Sequence, residues 1–82
     1  MKTLDELRSE VDRADDAIVA ALAARFAATD EIGRVKRAAG LAVNVPGREE
    51  QVLARLSESL PREDVDLIWK AIFAASKARQ SR

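Results

Sequence analysis

The sequence predicts an all-α fold of three helices, one long, one short and one of medium length, forming an intertwined homodimer. Three observations carry this. Apolar and small residues step by threes and fours through Leu4, Leu7, Val11, Ala14, Ile18, Ala21, Ala28, Ile32 and Val35, the rhythm of one helix face. Punctuation is sparse: "GLAVNVPG", residues 40 to 47, is the one clear connector, Pro61 opens a further helix, and there is no convincing strand and no internal repeat. The first helix is also longer than a domain of this size.

That helix begins near Leu4, where Thr3 and Glu6 have the spacing of a capping box, and Gly40 ends it. Roughly 36 residues at about 1.5 Å each make a rod of roughly 50 Å. A compact globule of this chain length is only about 30 Å across. Unless the rod kinks, its apolar seam needs another chain to cover it, and a homodimer is the simplest closure because one patch serves both protomers. The alanines between Ala20 and Ala28 allow helices to approach closely there. Asn44 to Gly47 reads as a turn into a second helix, in which Val52, Leu53 and Leu56 share a face within residues 48 to 57. Pro61 opens the third helix, whose stripe runs Val65, Ile68, Trp69, Ile72, Phe73.

Composition narrows the function. The 82 residues make a single domain, 1–82, with 48% hydrophobic and 34% charged residues, as a soluble helical chain has. Lys and Arg number 14 and so do Asp and Glu, so no global field draws in nucleic acid or an anionic membrane. With no cysteine and no histidine, thiolate chemistry and the commonest general base and metal ligand are excluded. No apolar run reaches membrane-spanning length and the first residues are too acidic for a signal peptide, which makes the cytosol the expected compartment.

Against this background, polar residues on apolar faces stand out. Arg25 fills the slot of the first helix's seam between Ala21 and Ala28. Lys36, eleven positions on, lies about 20° away on the helical wheel and roughly 16 Å along the axis, on the same side. Glu49 heads the apolar stripe of the second helix, and continuing the third helix's stripe gives Ser76 and then Gln80. Singly, each has a plain explanation: Arg25 snorkels from the seam's edge, Glu49 complements a helix dipole, Gln80 marks a frayed end. Together they have one chemical sense, several cations with one carboxylate and two neutral donors, which suits a pocket for a small polyanion bearing a hydroxyl. Buried groups of this kind cost several kcal/mol unless paired. Arg8 sits beside the seam, but about 25 Å from Arg25 on the same rod, and reaches such a pocket only from a partner chain.

In this order and spacing, "LDELRSEVDRADDAIVAALAARFAATDEIGRVKRAAGL", "REEQVLARL" and a closing "SKARQ" resemble the all-helical chorismate mutases from Leu4 to Gln80. The resemblance implies an intertwined three-helix dimer with two equivalent sites, each built from both chains, and a small dicarboxylate, chorismate, as substrate. It implies a role at each matching position. Arg25 and the other protomer's Arg8 hold the two carboxylates, and Lys36 lies between a carboxylate and the ether oxygen. Gln80 donates to that same oxygen, Glu49 binds the ring hydroxyl, Ser76 assists at the ring carboxylate, and Arg48 supports the site electrostatically. Val45 departs from members that carry an acidic residue there.

The implied reaction, chorismate to prephenate in aromatic amino-acid biosynthesis, is a cofactor-free pericyclic rearrangement needing no nucleophile, base or metal, which fits a chain without histidine or cysteine. Its barrier falls by holding a reactive conformer and by stabilising charge that develops on the breaking ether oxygen. Three alternatives stand beside it: isochorismate pyruvate lyase on the same fold, a mutase acting on 4-amino-4-deoxychorismate, and a helical dimerisation module without catalysis. Glu49 favours the chorismate mutase over the lyase. Balanced charge without a basic, aromatic-studded face argues against nucleic acid.

Overall fold

The computed structural model describes residues 1–42 and 45–80, among which there are three helices and no strand. Helix α1 spans Leu4–Ala39, α2 Arg48–Leu56 and α3 Arg62–Gln80. The Thr3 hydroxyl caps α1, accepting from the Glu6 backbone N–H at 3.1 Å and donating to the Glu6 carboxylate at 3.2 Å. Asp5 and Glu6 in the first turn and Lys36 and Arg37 in the last complement the helix dipole. At the other end Gly40 takes φ 69°, a left-handed conformation, and the Leu41 N–H reaches back to the Lys36 carbonyl at 2.8 Å. This is a Schellman-type stop, and a side chain at position 40 would strain it.

Of the turn predicted at Asn44 to Gly47, Asn44 lies outside the described residues. Gly47 is left-handed, φ 84°, immediately before α2, and the Arg48 N–H bonds the Val45 carbonyl at 3.2 Å. At the start of α3 the Pro61 carbonyl accepts from both Asp64 and Val65 at 3.1 Å. Proline fits this position because an N–H there has no helical partner to lose. Arg62 then ties α3 to α2, its Nη2 donating to both Glu50 carboxylate oxygens at 3.1 and 2.9 Å and its Nε to Asp66 at 2.7 Å.

The predicted stripes of α2 and α3 turn toward each other but are incompletely covered in a single chain, and every member of the stripe predicted for α1 is exposed. Val52 of α2 and Val65 of α3 are the buried apolar side chains among the described residues, while Leu53, Leu56, Trp69, Ile72 and Phe73 are half-buried and Ile68 is exposed. Helix α3 also lies along α1, where Arg25 meets Ser76, Thr29 meets Gln80 and Asp30 meets Arg79. Both partners advance together along the chain, so the two helices run in the same direction there. No helix among the described residues is long and apolar enough to cross a membrane.

Among the described residues, the first half of α1 is left almost entirely exposed. The longest dimension, 56 Å, is that of an unbroken 36-residue helix. The radius of gyration is 16.1 Å, against about 12 Å for a compact chain of this length. Leu4, Leu7, Val11 and Ile18 of the predicted seam are all exposed.

Candidate active site

Where the second half of α1, the first turns of α2 and the last turns of α3 converge, they line an open cavity of about 500 Å³. Helix α1 contributes Arg25, Thr29, Ile32 and Lys36, separated by four, three and four residues and therefore on one face. Helix α2 contributes Arg48, Glu49 and Val52, and α3 contributes Phe73, Ser76, Lys77 and Gln80, with Val45 of the connector at the margin. Local sequence dictates these positions. The polar groups continue the apolar stripes, so the packing that buries Val52 and Val65 turns Glu49, Ser76 and Gln80 inward.

Arg25 is held by two neighbours on α3. Its Nη1 donates to Ser76 Oγ at 3.0 Å, and its guanidinium carbon lies 5.6 Å from the centre of the Phe73 ring. Ser76 itself is only 7% exposed. Burial, and secondly the positive charge of Arg48, push the Arg25 pKa down from its ordinary value. Arginine still keeps its proton at physiological pH, so the lowered pKa describes a charge that the chain itself compensates poorly. Among the described residues no carboxylate lies within ion-pair distance of Arg25. An anion is the ligand this environment favours.

The far end of α3 is fixed with care. Arg79 donates to both Asp30 carboxylate oxygens, at 3.1 and 2.6 Å, with its guanidinium 4.9 Å from the centre of the Phe26 ring. These hydrogen bonds raise its pKa further above the ordinary arginine value. This clamp sets the register for the next residue, Gln80, whose Nε2 donates to the Thr29 carbonyl at 3.3 Å. Gly33 of α1 is buried opposite, and a Cβ there would stand 3.2 Å from Gln80 Cγ and 3.2 Å from Arg37 Nη1. Glycine inside a helix costs about 1 kcal/mol relative to alanine. Here its absent side chain leaves room for Gln80.

Six of the seven residues expected from the sequence thus line one cavity: Arg25, Lys36, Arg48, Glu49, Ser76 and Gln80. Arg8 does not; it is exposed on the uncovered half of α1. Sequence reasoning missed Lys77, which ion-pairs with Glu49 at 2.7 Å across the α2–α3 interface. It also missed the apolar wall of Ile32, Val52 and Phe73. The signal for Lys77 was present, since it follows Phe73 by four residues and precedes Gln80 by three.

Among the described residues the cavity's chemistry is therefore four cations, one carboxylate, two hydroxyls and an amide against an apolar wall, with no cysteine or histidine in its lining. Comparisons with known proteins show the family of the chain. The family model "Chorismate mutase type II" matches residues 7–81. The bifunctional chorismate mutase/prephenate dehydratase of Aquifex aeolicus (strain VF5) is 34% identical over 83 residues, covering 92% of this chain and 23% of that protein. The intracellular chorismate mutase of Mycolicibacterium smegmatis is 36% identical over 64 residues, 78% of this chain and 62% of that one. The chain thus spans less than two thirds of the length of either relative. The structure of chorismate mutase (form II) from Thermus thermophilus superimposes with a TM-score of 0.91 at 35% identity, over 99% of this chain and 97% of that one.

Proposed function

This chain belongs to the chorismate mutase type II family, and from that premise we propose that its 82 residues form one catalytic unit converting chorismate to prephenate. The observation that carries the reading is the half-buried, anion-seeking Arg25, set in a cavity with three more cations and a single carboxylate. Within the bound substrate the ether C–O bond breaks as the new C–C bond forms, and no atom enters or leaves. The protein's task is to fold the enolpyruvyl arm over the ring and to stabilise charge gathering on the ether oxygen. Arg25, with Ser76 beside it, takes one carboxylate, while Lys36 bridges a carboxylate and the ether oxygen. Gln80 donates to that oxygen, Glu49 receives the ring hydroxyl, and Arg48 adds positive potential.

The proposal includes a second copy. The uncovered seam of Leu4, Leu7, Val11 and Ile18 is the surface a partner covers, and it brings the partner's Arg8 to the second carboxylate. Because so little is buried in one chain, folding and association are coupled. The thermal midpoint is expected to rise with protein concentration, and a cooperatively folded monomer at nanomolar concentration would contradict this. The cytosol is its proposed compartment, a reading supported by the relative named as intracellular.

Proton NMR of chorismate with purified protein tests the activity: prephenate is expected to appear as chorismate disappears, without pyruvate. No loss of chorismate overturns the reading, and pyruvate release from isochorismate in its place indicates the lyase.

Gly33→Ala tests how Gln80 is held. Alanine gains about 1 kcal/mol of helix propensity, so stability is expected to be unchanged or slightly higher. Its Cβ displaces Gln80, and kcat is expected to fall by about tenfold, since a displacement of about 1 Å is enough for such losses. KM is expected to move little. An unchanged kcat would show that Gln80 tolerates the displacement.

A further inference from the structure

We propose that Lys77 decides which ring substituent the site accepts: by neutralising Glu49 it admits a hydroxyl and refuses a cationic amine. This rests on the chorismate mutase reading, in which Glu49 meets the substituent at that end of the ring. The observation is the ion pair from Lys77 Nζ on α3 to Glu49 Oε2 on α2, 2.7 Å, with both residues lining the cavity.

Glu49 is the one carboxylate among the described residues of the lining. The same lining carries Arg25 and Lys36 from α1, Arg48 from α2 and Lys77 from α3. A bare carboxylate in such a place would attract an ammonium strongly. With Lys77 against it the pair is neutral, so a second ammonium finds no uncompensated carboxylate and meets the like charge of Lys77. A hydroxyl meets no such barrier. An ionised carboxylate has about four lone-pair positions, so Glu49 accepts a substrate O–H while it still accepts from Lys77. The Lys77 and Glu49 side chains are 55% and 44% exposed, which leaves that end of the cavity open to an incoming group. Lys77 is thus a specificity residue.

The test compares kcat/KM for chorismate and for 4-amino-4-deoxychorismate, at pH 7 and pH 9, in the unsubstituted dimer, Lys77→Met and Lys77→Arg. The unsubstituted protein is expected to prefer chorismate at pH 7. Lys77→Met is expected to move the ratio at least tenfold toward the amine, and Lys77→Arg to keep the original preference. The pH arm carries its own sign. As pH rises the substrate ammonium loses its proton, so relative use of the amine is expected to increase in the unsubstituted protein and not in Lys77→Met. A ratio that Lys77→Met leaves unmoved, or an equal loss on both substrates, overturns the proposal while chorismate mutase activity stands. Inactivity of the folded, unsubstituted protein on both substrates overturns the parent reading and this one together.

Discussion

Lys36→Ala is expected to lower turnover by about a thousandfold or more, with little change in thermal midpoint. Lys36 comes from the last turn of α1, into the same cavity as Arg25 and Gln80. As negative charge develops on the breaking ether oxygen, an ammonium contributes more to the transition state than to the ground state. A single preorganised donor of this kind contributes about 10²–10³ in kcat, and Lys36 also holds a carboxylate. Arg34→Ala is the matched control. It removes a cation from the same turns, nine positions from Arg25 and on the opposite side of the wheel, where it is exposed. Arg37 is a poorer control because its guanidinium lies against Gly33, beside Gln80. The companion change is Gln80→Glu. Only a protonated carboxyl donates to the ether oxygen, so activity is expected to rise as pH falls through that group's pKa. Full activity at every pH would remove Gln80 from the reacting oxygen.

Much of this was legible in the sequence because it depends on periodicity. A helix converts spacing into direction, so Arg25 and Lys36, or Ser76 and Gln80, were assignable to a face before any packing was known. Helix limits were legible at Thr3, Gly40 and Pro61, where capping and proline chemistry act locally. Pairing between helices was not. The Lys77–Glu49 ion pair and the Arg79–Asp30 clamp depend on how α3 sits against α2 and α1, which no single-helix projection contains. Gly33 has no explanation within its own helix, and the approach of Gln80 supplies one. Ile68 shows the converse: its spacing places it in the stripe, yet one chain leaves it exposed, as it leaves Leu7 and Val11.

Those exposed residues lead to the second large effect. Arg8 is absent from the cavity that holds Arg25, and roughly 25 Å of unbroken helix separates the two along one chain. If each working site takes Arg25 from one protomer and Arg8 from the other, Arg8→Ala and Arg25→Ala homodimers are both expected to be nearly inactive. Each loses the charge that holds one substrate carboxylate in both of its sites. In a mixed dimer the lesions segregate: one site carries both and the other carries neither. Random reassortment makes about half the dimers mixed, each with one intact site of two, so mixing restores about a quarter of unsubstituted activity.

The decisive measurement is the rate of chorismate loss after the two variants are unfolded together and refolded, with mixed dimers verified by mass. Recovery to about a quarter of the unsubstituted rate is the predicted result. A rate that stays at the level of the separate variants, in a sample shown to contain mixed dimers, would contradict a site assembled from two chains around Arg25.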